Sequence, residues 1–156
     1  EASKAIEDMN NETVSAEFIH VSEIIVAVAG LVGGLGDKYA RNTAAHAMHD
    51  AISAYLPEVH KYLHGEKVAY GIFYQLALEE KWAVIDELLP LYQELSLPMS
   101  LTQMGVYPMA DETLTDIISL VNGKQKVHLL PMEINETVLT KALVELEEYL
   151  NNKEVI

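Results

Sequence analysis

The sequence predicts an all-α fold, one domain of about six to eight helices. Apolar residues recur at steps of three and four along most of the chain, which is the helical period, and no segment shows convincing strand alternation. Half of the 156 residues are hydrophobic and 22% are charged, a composition typical of a folded globular chain. A chain of this length can bury a substantial core.

The first long helix is expected from Thr13, which could cap it, to about Gly30. Phe18, Val21 and Ile25 follow one another at helical spacing along it. The uncharged run at residues 24–35 has twelve residues and three glycines. Since a membrane span needs about 20 apolar residues, this run predicts a buried helix, with the glycines loosening the backbone after Gly30.

The next helix is predicted at residues 38–56, where six alanines leave a thin surface that neighbours can approach and Pro57 ends the pattern. This helix carries His46 and His49. After a short turn, residues 66–81 are apolar nearly all round, which predicts a central buried helix.

Two further helices are predicted at residues 82–95 and 136–151. Pro90 should bend or break the first of them, and Asn135 is placed to cap the second. The last helix has an apolar stripe formed by Leu139, Leu143, Leu146 and Leu150. Its acidic residues Glu145, Glu147 and Glu148 are expected on a solvated face.

Composition limits the possible partners and location. The chain has 24 acidic against 10 basic residues, a net charge of −14, and no cluster of Lys and Arg. This balance argues against binding to nucleic acid or to an anionic membrane. No cysteine is present, so disulfides and thiolate metal sites are excluded, and residues 1–11 lack a signal-peptide pattern. We therefore expect a cytoplasmic protein.

Four of the six histidines lie within residues 46–64, as the pairs His46/His49 and His60/His64. Residues three apart on a helix share a face, so the first pair can face one cavity. Neutral imidazole binds Zn²⁺ and Fe²⁺, but a catalytic site normally needs a third protein ligand. The alternative is a pair of solvated helices whose histidines lie near carboxylates such as Asp50, and spacing alone does not decide between them.

The residues around these histidines carry a family resemblance. The segments GLG at 34–36, AHAMH at 45–49 and HGEKVAYG at 64–71 are followed by QLALE at 75–79. Together they resemble the C-terminal domain of glycerol dehydrogenases, within the iron-containing alcohol dehydrogenase family. The resemblance implies the helical metal-binding domain of a dehydroquinate synthase-like fold, and it covers nearly the whole chain from about residue 15.

The resemblance implies a two-domain NAD(P)-dependent oxidoreductase that oxidises a small alcohol or polyol such as glycerol. An N-terminal α/β domain would bind NAD(P), and the helical domain would bind Zn or Fe through an Asp and two His. Carried across, the metal ligands are His46 and His64, and His49 is a polar catalytic neighbour on the substrate side. The metal would polarise the substrate hydroxyl before hydride transfer. Similar proteins form oligomers through their helical domains, so a homo-oligomer is expected.

The chain departs from the family pattern in ways that leave alternatives open. No position fits the Asp ligand, and no Gly-rich phosphate turn follows a strand. We therefore expect residues 1–156 to be the helical domain alone, with the dinucleotide-binding domain outside this chain and no dehydrogenase activity in the isolated chain. A non-catalytic helical interaction module is the alternative of a different class.

Substrate identity is also open, because Asp50-Ala51 and Ala40-Arg41 replace residues usual in glycerol dehydrogenases. A hydroxycarboxylate is possible, with Arg41 as a carboxylate partner or only a surface residue. A phosphorylated substrate would need several converging basic residues. Near the histidines the sequence offers only Lys38, Arg41, Lys61 and Lys67.

Overall fold

The computed structural model describes residues 1–36 and 43–154. Within these ranges the secondary structure comprises eight α-helices and no strand, which confirms the predicted all-α class. In chain order the helices are α1 (Ala2–Asn10), α2 (Ala16–Glu23), α3 (Ala29–Leu35), α4 (Ala44–Tyr55), α5 (His64–Leu78), α6 (Trp82–Glu94), α7 (Asp111–Asn122) and α8 (Glu136–Glu154). Short 3₁₀ helices lie at Pro57–Lys61 and Val127–Leu129.

Helix α5 lies at the centre of the fold, as its apolar sequence predicts. It packs against α4, α6 and α8, and α7 closes the bundle against α4 and α8. Tyr70, Phe73 and Tyr74 of α5 are fully buried. The hydroxyl of Tyr74 donates to the carbonyl of Leu139, 3.0 Å away, which links α5 to α8 and satisfies a polar group that burial would otherwise leave unpaired.

The predicted leucine stripe of α8 is confirmed, and it faces α5 and α7. Leu139, Leu143, Leu146 and Leu150 are all buried. Asn135 accepts a hydrogen bond from the backbone N–H of Val138 at 3.0 Å, so it caps the helix as predicted. Pro90 does not break α6, which continues through it from Trp82 to Glu94.

The acidic face predicted on α8 is wrong at Glu147, whose exposed fraction is zero. Its carboxylate accepts hydrogen bonds from the backbone N–H groups of Leu101 (2.9 Å) and Thr102 (3.0 Å), and from the Thr102 hydroxyl at 2.9 Å. Glu147 therefore fastens the turn between α6 and α7 to α8, instead of facing solvent.

The expectation of a buried helix at residues 24–35 is also wrong. A π-helical turn at Ile24–Val28 joins α2 to α3, so Ala16–Leu35 form one helix without a buried residue. Ser15 caps it instead of Thr13, accepting from the N–H of Phe18 at 3.1 Å. The glycines continue the helix, which packs mainly on α1.

By length and composition alone, this 20-residue helix is apolar enough to cross a membrane. The twelve uncharged residues are too few to span a bilayer, but the helix begins at Ala16. In its first part, Glu17 and Glu23 are the only acidic residues among apolar and uncharged ones.

Candidate metal and substrate site

The two helices that carry the histidine cluster are in main-chain contact. Ala44, Ala45 and Ala47 of α4 are buried, and Gly71 of α5 lies against Ala45. A Cβ atom built on Gly71 would be 2.2 Å from the carbonyl oxygen of Ala45. Small side chains on both helices therefore allow α4 and α5 to approach closely, as the alanine pattern predicted.

This approach brings three of the predicted site residues together. The ring nitrogens His49 Nε2 and His64 Nδ1 are 3.1 Å apart, and the two ring centroids are 4.3 Å apart. The rings of His46 and His64 have centroids 5.9 Å apart and planes inclined by 49°. His46 and His49 come from α4, and His64 is the first residue of α5.

A chain of hydrogen bonds orients the rings of His49 and His64. Lys124 donates to one oxygen of Asp50 at 2.9 Å, and the other oxygen lies 3.1 Å from His49 Nδ1. Because a carboxylate only accepts, Nδ1 of His49 carries its proton, and its Nε2 accepts from Nδ1 of His64 in the neutral ring. This assignment leaves Nε2 of His64 with a free lone pair, as a metal ligand requires.

The electrostatics keep two of the rings neutral. Burial lowers the pKa of His46 below its usual value. Positive charge on His64 or Lys126 lowers it further, and the negative charge of Asp50 acts in the opposite direction. Burial also lowers the pKa of His49, and the hydrogen bond to Asp50 opposes it only in part. Neutral imidazole is the form that binds metal, so the surroundings favour ligation.

The separation of the His46 and His64 rings can be compared with that of two imidazoles on one metal ion. Two imidazoles sharing one Zn²⁺ at about 2.0–2.1 Å have ring centroids roughly 5–6 Å apart, and the observed separation of 5.9 Å lies at the upper end. Within residues 1–36 and 43–154, no group of three or more His, Asp or Glu side chains could complete a site. A third ligand would have to lie outside these residues, and the ligand roles of both histidines stay predictions.

The other histidines lie outside this cluster. His60 is exposed in the 3₁₀ helix, and its Nε2 bonds to the Ser53 carbonyl at 2.8 Å. His128 bonds to the Asn122 carbonyl at 2.8 Å, and His20 bonds to the carboxylate of Glu1 at 3.0 Å. Both are exposed, in line with the surface interpretation.

A pocket of about 380 Å³ opens beside His46. Lys124 and Lys126, from the loop after α7, line it together with Asp50 of α4. Neither lysine is predicted from the sequence, because nothing local links residues 124–126 to residue 46. Of the basic residues near the histidines in sequence, Lys61 lies over the ring of Tyr62 and Lys67 is buried, while Lys38 and Arg41 fall outside the described residues.

No family model matches the chain, but individual relatives do. It is 34% identical over 147 residues to hydroxycarboxylate dehydrogenase A of Escherichia coli (strain K12), covering 94% of this chain and 40% of the relative. It is 33% identical over 129 residues to a glycerol dehydrogenase of Thermotoga maritima, covering 81% and 35%. The chain thus spans about two fifths of the length of these relatives.

Solved structures give the same result. A glycerol dehydrogenase from Schizosaccharomyces pombe matches with a TM-score of 0.79 and 28% identity, over 97% of this chain and 38% of the other. A probable glycerol dehydrogenase from Sinorhizobium meliloti 1021 matches with a TM-score of 0.80 and 25% identity, over 97% and 42%. Both alignments cover nearly all of the helical structure described above.

Proposed function

Because this chain belongs to the glycerol dehydrogenase group of the iron-containing alcohol dehydrogenase family, we propose that it forms the helical, substrate-holding domain of an NAD(P)-dependent oxidoreductase that acts on a small alcohol or polyol. The observation that carries this proposal is the cluster of His46, His49 and His64 beside an open pocket. Hydride transfer to NAD(P) would require a dinucleotide-binding domain outside these residues, as the resemblance implies.

In this proposal His46 and His64 hold a divalent metal, Zn²⁺ or Fe²⁺. When bound, such a metal acts as a Lewis acid that polarises the substrate hydroxyl. The hydrogen bond from Nδ1 of His64 to His49 fixes the orientation of the His64 ring, which is the usual task of a residue behind a ligand. The remaining ligand would be the carboxylate that the resemblance implies upstream.

His49 has a different task, since both of its ring nitrogens are already engaged. Its side chain is only 13% exposed, and it joins Asp50 to His64. It therefore holds one proton at Nδ1 and presents Nε2 to the cluster, which makes it a polar neighbour that positions the site. Asp50 is the residue that fixes this tautomer.

Zinc binding to this chain, measured by isothermal titration calorimetry, tests the ligand pair. We expect weak binding by the wild type, and a loss of roughly tenfold or more in affinity for His46→Ala and for His64→Ala. His60→Ala is the matched control, because it removes an imidazole outside the cluster. Equal zinc affinity in all four proteins would contradict the assignment.

Activity tests the wider proposal. A polypeptide that carries this chain together with upstream sequence should reduce NAD or NADP when a small alcohol is supplied, and this chain alone should not. NAD reduction by residues 1–156 alone would show that the division into two domains is wrong. Hydroxycarboxylates are the second substrate class, because one relative is named for them and because lysines line the pocket.

A further inference from the structure

The pocket beside His46 has the size and position of a substrate subsite. It lies between the start of α4 and the loop after α7, and its volume of about 380 Å³ is at the small end of the range for ligand pockets. Its lining includes His46, Ala47 and Asp50 from α4, and Lys124, Gln125 and Lys126 from the loop. A small molecule in this space would meet His46 and the lysines together.

The loop that carries the lysines is held in place. Val127 is fully buried, and its N–H donates to the Lys124 carbonyl at 3.0 Å. The N–H of Leu129 donates to the Lys126 carbonyl at 3.2 Å. The ring of His128 adds a bond to the Asn122 carbonyl at 2.8 Å. The backbone at residues 124–126 is therefore positioned before any ligand arrives, which reduces the ordering cost of binding.

The charges in the pocket leave one cation without an internal partner. Lys124 is neutralised by Asp50, at 2.9 Å. Lys126 forms no ion pair with any residue in 1–36 or 43–154. Two lysines and one aspartate line the pocket, so the net charge of its lining is +1, whereas the net charge of the chain is −14. A single positive charge matches a monoanion.

We propose that Lys126, with Gln125 and Lys124 beside it, binds the carboxylate of a small 2-hydroxycarboxylate whose hydroxyl lies at the histidine cluster. This inference rests on the proposed function. His46 and Lys126 line the same small pocket, so one small molecule can present a hydroxyl to the first and a carboxylate to the second. A phosphate dianion suits it less, because one unpaired lysine supplies half of the required charge and no described arginine lines the pocket.

Lactate and propane-1,2-diol test the proposal, because they share one carbon skeleton and differ in the carboxylate. We expect lactate to bind this chain more tightly than the diol, and to shift the backbone amide resonances of residues 124–126 in a ¹⁵N-labelled sample. Lys126→Gln should weaken lactate binding roughly threefold to tenfold and leave the diol unaffected. Lys126→Arg should retain most of the lactate affinity.

Lys141→Gln is the matched control, since it removes the same charge from an exposed position on α8. Equal lactate affinity in Lys126→Gln and wild type would overturn the proposal, and so would resonance shifts confined to residues away from the pocket. Failure of the proposed function looks different: the longer polypeptide would oxidise no alcohol, while lactate would still bind at Lys126.

Discussion

Replacing Glu147 by alanine should destabilise the fold severely for a single substitution. The carboxylate is fully buried and accepts from two backbone N–H groups and one hydroxyl. Each buried N–H left without an acceptor costs about 1–3 kcal/mol, so the amides of Leu101 and Thr102 together predict a loss of about 2–6 kcal/mol. The Thr102 hydroxyl can rotate to another acceptor and adds little.

The pH dependence of this effect has a definite sign. Burial raises the pKa of Glu147 above the ordinary value of 4.5, even though the hydrogen bonds from Leu101 and Thr102 act to lower it. At pH values just above 4.5, Glu147 is more often protonated in the folded protein than in the unfolded chain. Its contribution to stability therefore falls as pH rises through this range. Glu147→Gln removes the charge but replaces one accepting oxygen by an NH₂ group that cannot accept, so it should be less stable than wild type by about 1–3 kcal/mol, with a deficit that narrows from pH 4 to pH 7.

Urea denaturation followed by helical circular dichroism, at pH 4, 5.5 and 7, measures these differences. Exposed Glu148→Gln is the control, and it should change the free energy of unfolding by less than about 0.5 kcal/mol. A deficit of Glu147→Gln relative to wild type that grows from pH 4 to pH 7 would refute the reasoning. It would show that the hydrogen bonds to the ionised carboxylate outweigh the cost of burying its charge.

Two further substitutions test the helix contacts. Gly71→Ala should lower the free energy of unfolding by about 3 kcal/mol, because the new methyl group would meet the Ala45 carbonyl oxygen at 2.2 Å. Thermal unfolding measures this loss. Gly65→Ala is the control and should be tolerated, because open space surrounds Gly65. Tyr74→Phe should cost about 1 kcal/mol through the lost bond to the Leu139 carbonyl, and an unchanged urea midpoint would count against that bond.

Local periodicity predicted the parts of the fold that depend on it. The leucine stripe of α8, the central position of α5 and the shared face of His46 and His49 all follow from helical spacing. The position of Glu147 was also readable, because it is four residues after Leu143 and three before Leu150, on the buried stripe. Residue type alone places Glu147 with its exposed acidic neighbours, whereas helical periodicity places it on the buried face.

Other features depend on contacts between distant parts of the chain. Residues 24–35 are apolar, but burial requires a neighbouring surface, and within the described residues only α1 packs extensively on this helix. The lysines of the pocket reach His46 through the packing of α7 on α4, across more than 70 residues of sequence. Neither arrangement leaves a local pattern, so only the assembled bundle reveals them.

The contact between Gly71 and Ala45 has a consequence for how the site could diversify. Main-chain atoms are stiffer than side chains, and here they set the spacing between the helices that carry His46 and His64. Substitutions in the loop after α7 can therefore reshape the pocket without disturbing the distance between the two imidazoles. Under the proposed function, selectivity for one alcohol over another and affinity for the metal ion would then be separately adjustable in the same small domain.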